Sequence, residues 1–267
     1  MNLKSLIPGL LDINEKASKA IMEVYATFNA GDEQLKSDDS PLTMADQKSH
    51  NIIMEGLKKL TPTIQVISEE HKNLDYADRK NLEHVWCIDP LDGTKEFIKK
   101  NGEFTVNIAL IHHGAPILGV MGVPAQDFAC YACKGEGAYK VVNNNHEQLH
   151  ASKLTMDQKG LRLVASRSHL NEATQTFASQ FENVEFVSRG SALKFLIIAE
   201  QQADIYPRLA PTMEWDTAAA HIILEEAGGL VIRHDNRQPL RYNKQNLLNP
   251  HFVAFGDVTG LSDWKEA

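Results

Sequence analysis

Two aspartates, Asp89 and Asp92 in the stretch Trp86-Cys87-Ile88-Asp89-Pro90-Leu91-Asp92-Gly93-Thr94, stand out as able to do chemistry. Carboxylate oxygens suit hard divalent cations, and with the backbone carbonyl of Leu91 between them the pair would form a compact magnesium corner. Thr94 adds a hydroxyl beside that corner, at the predicted start of a helix running from Lys95 onward, where phosphate groups meet exposed backbone donors. The same D-x-x-D spacing also suits a strand-ending turn in which both aspartates cap backbone N–H groups. The pair alone does not separate the two readings.

The elements around the pair follow from hydrophobic periodicity. The apolar run from His84 to Ile88 predicts a buried strand that stops at a turn made by Pro90 and Gly93. Ile64 to Ile67 predicts another strand, running directly into Ser68-Glu69-Glu70, so acids again follow a strand end. Upstream, apolar residues from Leu3 to Phe28 recur at three- and four-residue steps and predict a long helix ending near Gly31, followed by a loop from Asp32 to Ser40. A second helix, from Thr43 to Leu60, carries Asp46 in its first turn, where an acid ordinarily just offsets the helix dipole.

Downstream, Phe104 to Ile111, Pro116 to Val123, Phe128 to Tyr131 and Ala138 to Val142 predict an antiparallel meander. The turn-prone Asn143 to His146 marks the expected division into an N-terminal subdomain, residues 1–145, and a C-terminal one, residues 146–267. Beyond it, strands at 161–165, 184–187, 203–206, 230–233 and 252–255 alternate with helices at 171–181, 192–201 and 218–227. Asp216 lies just before the last helix.

Composition narrows the partners. A chain of 267 residues with net charge -8 and no Lys/Arg-rich run lacks the footprint of a nucleic-acid binder. No apolar run has the length of a signal-peptide core or a membrane span, so the default compartment is the cytoplasm. Three cysteines include a lone C-x-x-C, Cys130 to Cys133, whose flanking alternation predicts strand rather than a metal or redox motif. His112-His113 reads as a turn between strands.

Asp46, Glu69, Asp89, Asp92 and Asp216 thus share one kind of placement, at a helix start or a strand end. If they converge, each close pair of carboxylates repels by about 4 kcal/mol at an effective dielectric near 20. Two or three magnesium ions would neutralise such a cluster, polarise a phosphate ester and generate a hydroxide.

Asp46, Ser68-Glu69-Glu70, Asp89-Pro90-Leu91-Asp92-Gly93-Thr94 and Trp215-Asp216-Thr217-Ala218-Ala219 resemble, in order, the signature of the magnesium-dependent, lithium-sensitive phosphatase superfamily that includes inositol monophosphatase. Asn101 to Ala109, Ser166-Arg167-Ser168-His169 and Tyr206-Pro207-Arg208 further resemble its bacterial 3'(2'),5'-bisphosphate nucleotidase branch, of the sulfur-assimilation type. The resemblance implies an α+β fold, a layered αβαβα sandwich of the inositol monophosphatase/sugar phosphatase type with two subdomains. It implies hydrolysis of the 3'-phosphate of adenosine 3',5'-bisphosphate to AMP and phosphate, without a phosphoenzyme. Inositol or sugar phosphatase activity on the same metal site is the alternative, and a non-catalytic nucleotide sensor the more distant one.

Residue by residue, the resemblance implies that Glu69, Asp89, the carbonyl of Leu91, Asp92 and Asp216 ligate two or three Mg2+ ions. Asp46 and Thr94, with Glu69 beside them, would orient and deprotonate the attacking water, and Glu70 would steady ligands from behind. Gly93, Thr94, His169, Ser191, Lys194, Arg208 and Asp216 would line the substrate site, with His169, Ser191, Lys194 and Arg208 on the nucleoside and its 5'-phosphate. Ala192 departs from the pattern, which has a second serine there. A small-molecule nucleotide is the expected partner, not nucleic acid. The chain is expected as a monomer or homodimer in the cytoplasm. The bacterial branch also admits weak peripheral association with the inner membrane, although no basic amphipathic helix here calls for it.

Overall fold

The computed structural model describes residues 1–28, 41–71, 73–165 and 171–261. The N-terminal elements are α1 (Ile7–Thr27), α2 (Pro41–Leu60), β1 (Gln65–Ser68), α3 (Tyr76–Arg79), β2 (His84–Asp92), α4 (Thr94–Ile98), β3 (Thr105–His112), β4 (Ala115–Val123), β5 (Phe128–Cys133), β6 (Ala138–Val142) and β7 (Asn145–Gln148). There follow β8 (Lys153–Thr155), β9 (Arg162–Ala165), α5 (Glu172–Ala178), β10 (Glu185–Ser188), α6 (Leu193–Ala199), β11 (Ile205–Arg208), α7 (Ala218–Glu226), β12 (Leu230–Arg233), β13 (Phe252–Phe255) and β14 (Asp257–Thr259). Strands β1 to β7 form one sheet in sequence order, parallel between β1 and β2 and antiparallel thereafter. A second sheet has the order β10-β9-β11-β13-β12, and β8 pairs with β14.

Alternating side chains of the first sheet divide between two cores. Trp86, Ile88, Val106, Ile108, Leu110 and Val120 pack with Leu10, Ile13, Ile21 and Ile53 of α1 and α2. Val85, Cys87, Ala109, Ile111 and Met121 pack with α6 and α7, whose opposite sides meet the second sheet, and α5 covers the outer face of that sheet. The layers therefore run helix, sheet, helix, sheet, helix, the α+β sandwich that the resemblance implies. Among the described residues, no helix is long and apolar enough to cross a membrane.

Strand β4 is pressed from both sides. A Cβ on Gly119 would lie 2.8 Å from the Ala219 carbonyl oxygen of α7, and one on Gly122 would lie 2.0 Å from Asn14 Oδ1 of α1. Asn14 is nearly fully buried, and its amide donates to the Val106 carbonyl, so it has little freedom to yield. Gly122→Ala is accordingly expected to destabilise the fold by about 1–3 kcal/mol, the usual cost of overpacking, read as a lower urea midpoint at unchanged slope.

Local departures from the sequence reading have physical causes. Helix α1 stops at Thr27 rather than near Gly31, because Phe28 turns extended and packs its buried ring 5.6 Å from Phe97. Helix α2 begins at Pro41, so Asp46 sits in its second turn and not its first, where the dipole argument no longer applies. The expected loop from Asp32 to Ser40 lies outside the described residues. Of the expected turn from Asn143 to His146, Asn143 and Asn144 do turn, at φ 50° and 61°, but Asn145–Gln148 is a strand that pairs with β6 and extends the first sheet past the division expected at residue 145. In β5, Cys130 and Cys133 point to opposite cores, and both are free and buried thiols, pushed up by burial.

Candidate active site

Parallel pairing of β1 with β2 in the register Ser68↔Ile88 makes Glu69 and Asp89 the next residues of neighbouring strands. Strand β2 does not end at Ile88 in a turn, as its sequence suggests. It runs on through both aspartates, with its register to β3 shifting between Asp89, opposite Asn107, and Asp92, opposite Thr105. Pro90 has no N–H for the ladder, so Pro90 and Leu91 fall in a bulge, a device that re-aims side chains. Ser49 of α2 donates to the Pro90 carbonyl at 2.7 Å, and the Leu91 N–H donates to Asp89 Oδ1 at 3.0 Å. The bulge is thereby tied to α2, which carries Asp46.

Gly93 then takes φ 104°, and a Cβ there would lie 3.1 Å from the Glu103 carbonyl oxygen, so this corner requires glycine. Thr94 opens α4, which has only five residues and a correspondingly short run of aligned peptide dipoles. Phe97 of α4 is clamped by Tyr25, Phe28 and Phe104 with ring centroids 5.0–5.6 Å apart. That aromatic cluster fixes the helix relative to the bulge.

Carboxylate oxygens of Glu69, Asp89 and Asp216 lie within 4.8 Å of one another, an all-oxygen donor set suited to a hard divalent cation. Asp89 is 1% exposed, and burial, followed by the charges of Asp92, Glu69, Asp216 and Asp46, holds its carboxyl well above the usual range. Burial and then Asp92 push Asp216 up to about 7, against an opposing Met213 N–H bond. Burial pushes Asp46 up to about 8, reinforced by Glu70 and Glu69. Mutual repulsion in a desolvated cluster is what bound cations would relieve, so the residues present fit the group that the sequence anticipates.

Asp92 faces the other half of the molecule. Its Oδ2 accepts from the Ser191 hydroxyl and, at 2.8 Å, from the Ala192 N–H. The backbone of Ala192 thus supplies a donor to this carboxylate where the expected serine hydroxyl is missing, while its methyl is buried in the core. Ser191 is held at φ 52°, its hydroxyl 2.7 Å from Thr105 Oγ1, and Lys194 Nζ donates to the Ser191 carbonyl at 3.0 Å. Lys194 also stands 5.8 Å from the centre of the Tyr206 ring. Arg208 donates through Nη2 to the Pro211 carbonyl, whereas its Nε is buried without a partner. Asp92, Gly93, Ser191, Lys194, Arg208 and Asp216 all line one cavity of ≈ 280 Å³. His169 lies outside the described residues.

Lys95 and Tyr206 line the same cavity although neither was given a role of its own, and Arg189, which also lines it, was missed because nothing in its local spacing distinguishes it. Support for the acids was also unreadable. Ser68 holds the corner before Glu69 through bonds to His50 and Asn73. Fully buried Glu214 accepts from the backbone N–H groups of Asn243 and Lys244 and from Lys244 Nζ, anchoring the loop that carries Asp216. These contacts span about 30 residues of sequence, beyond any motif. A larger groove of ≈ 870 Å³ between α1 and α2 contains none of the anticipated residues, and its Asp12–Lys16 and Glu55–Lys59 pairs neutralise each other.

The sequence profile of the inositol monophosphatase family matches residues 2–257. A protein of Escherichia coli O6:H1 named 3'(2'),5'-bisphosphate nucleotidase CysQ is 42% identical over 92% of this chain and 98% of its own length. The homonymous Salmonella typhimurium protein is 41% identical over the same shares. A crystal structure of CysQ from Bacteroides thetaiotaomicron aligns with TM-score 0.85 at 39% identity, covering 96% of this chain and 98% of that one. An inositol monophosphatase from Zymomonas mobilis, 22% identical, shares the fold with TM-score 0.78 over 96% of this chain and 94% of its own. With the family's profile spanning nearly its whole length, the chain belongs to the inositol monophosphatase family.

Proposed function

We propose that this phosphatase is a 3'(2'),5'-bisphosphate nucleotidase that removes the 3'-phosphate of adenosine 3',5'-bisphosphate, leaving AMP and phosphate. The observation that carries this reading is the pairing of unlike halves in one cavity, acids on one side and Lys194 and Arg208 on the other. A substrate with two phosphates needs cations at the one being cleaved and permanent positive groups at the one being kept. The relatives named as nucleotidases support the same choice.

In this reading Glu69, Asp89, Asp92, Asp216 and the Leu91 carbonyl hold two or three Mg2+ ions. Bound there, magnesium would neutralise the carboxylates and polarise the ester phosphate. Asp46 and Thr94 orient the attacking water beside Glu69, and Asp46 takes its proton. In the metal-free protein burial, reinforced by Glu70 and Glu69, pushes this carboxyl up; the adjoining cations would favour its ionised form and so free it to accept that proton. Ser191 and the Ala192 N–H hold Asp92 in place, and the family resemblance assigns His169 to the nucleoside.

Phosphate release from adenosine 3',5'-bisphosphate with Mg2+, with and without Li+, tests the reading. Magnesium-dependent, lithium-inhibited turnover is expected; cleavage of an inositol phosphate with none of the nucleotide would transfer the assignment to the inositol or sugar phosphatases. Lys194→Ala should raise KM for the 5'-phosphorylated substrate by about 10–100-fold, the equivalent of one charged hydrogen bond. A simple sugar phosphate, which lacks that group, should keep its KM within about twofold.

A further inference from the structure

We propose a second metal site, for a borderline divalent ion such as Zn2+, built from Glu83, His112 and His113 at the opposite end of β2 from the catalytic carboxylates. One ligand atom from each of the three lies within 4.8 Å of the others, and Glu83 Oε1 is 3.5 Å from His112 Nε2. A tetrahedral zinc with bonds of about 2.0–2.1 Å places its ligands about 3.3–3.4 Å apart, so that pair already stands near the required spacing.

The backbone creates this convergence. Successive residues of a strand point to opposite faces, which would separate the two histidines. His113, however, adopts φ 46° and Gly114 φ 78°, the signature of a tight two-residue hairpin between β3 and β4, with His112 paired to Ala115. The left-handed turn brings the His113 ring back to 4.3 Å from that of His112. The ring of His84, its cross-strand partner, lies 4.7 Å from that of His112, tilted by 31°. The His113 N–H donates to the Glu83 carbonyl, and the Arg241 guanidinium grips the His113 carbonyl, so the turn and the entry to β2 are fixed to each other.

Two imidazoles and one carboxylate, with room for water, favour zinc, nickel or copper over magnesium. His84 and Asp89 are five residues apart on one strand, about 16 Å, so an ion here is separate from those that serve phosphate hydrolysis. It would clip the start of β2 to the β3–β4 turn and stabilise the sheet that positions the active site.

Calorimetric titration of the full chain with Zn2+ in saturating Mg2+ tests this. One equivalent should bind despite the magnesium, with affinity about tenfold or more weaker in His112→Ala and in His113→Ala, and unchanged in Asp89→Asn. Zn2+ should raise Tm in the wild type and not in His113→Ala, whose magnesium-dependent turnover stays at the wild-type level. No binding in the presence of Mg2+, binding indifferent to both histidine variants, or binding lost in Asp89→Asn would each overturn the proposal, the last by placing the zinc among the catalytic acids.

Discussion

Asp89→Asn is expected to lower kcat/KM for the bisphosphate by more than about 100-fold, the upper end of what losing a mere outer partner of a metal ligand costs. At the same time it is expected to raise the Tm of the metal-free protein. The two effects share one cause. Asp89 is buried beside Asp92, Glu69, Asp216 and Asp46, and its ionised form is disfavoured by desolvation and by each of those neighbours. An asparagine is isosteric, and its side-chain oxygen can still accept the Leu91 N–H that shapes the bulge. The substitution therefore removes a charge and leaves the backbone arrangement standing. Loss of function with gain of stability is what a site built for binding, rather than for folding, should show. Steady-state kinetics in Mg2+ together with thermal melts in chelator make the measurement. A fall in the metal-free Tm would mean that Asp89 is a structural residue, and a retained rate would remove it from the metal set.

How much of this was legible in the sequence depended on the range over which each residue acts. Periodicity located the meander and the amphipathic helices because burial on one or two faces writes itself into every second or fourth residue. The acids were visible because each follows a strand or precedes a helix, and their order along the chain matched a known family. Their geometry was not visible. That Asp89 and Asp92 straddle a bulge, and not a turn, follows from pairing with Thr105 and Asn107 on β3, a partner that local spacing does not name. Likewise the placement of Ser191 against Asp92 crosses 99 residues, and Ser191 has a left-handed backbone that no serine announces. The loop of Asp216 is anchored through Glu214 to residues 243 and 244, and they in turn to Arg79, whose guanidinium bonds Asn243 and the Lys244 carbonyl. Such contacts are set by tertiary packing and leave only ordinary polar residues in the sequence. His112-His113 is the converse case: a turn by its local pattern, and a cluster of ligand atoms once the register of β2 and β3 brings Glu83 and His84 alongside.

The magnesium-free protein should lose stability as pH rises from about 6.5 to 8, and Mg2+ should abolish that loss. Asp216 is raised to about 7 and Asp46 to about 8, both chiefly by burial, and Asp89 is raised as well. An unfolded aspartate titrates near 3.9, so in this window the folded state holds protons that the unfolded state has already released. Stability from such groups is fully present below the unfolded pKa and is lost as pH climbs through the folded values. The slope reaches up to about 1.4 kcal/mol per pH unit for each group still titrating. Histidines oppose this at lower pH: burial pushes His50 and His71 down, so below about 6.5 their protonation favours the unfolded chain. Their protonation in the unfolded chain fades between about pH 6.5 and 7.5, so the carboxylate slope stands most clearly in the upper part of the window. Divalent cations compete with protons for the same oxygens, so the Tm increase caused by Mg2+ should be larger at pH 8 than at 6.5. Melts in chelator and in saturating Mg2+ across this range decide it. A flat or rising Tm without metal, or a magnesium shift independent of pH, would show that these carboxylates do not form one desolvated, proton-sharing cluster. Asp46→Asn sharpens the assignment, because it should reduce the slope across the window and leave what remains to Asp216 and Asp89.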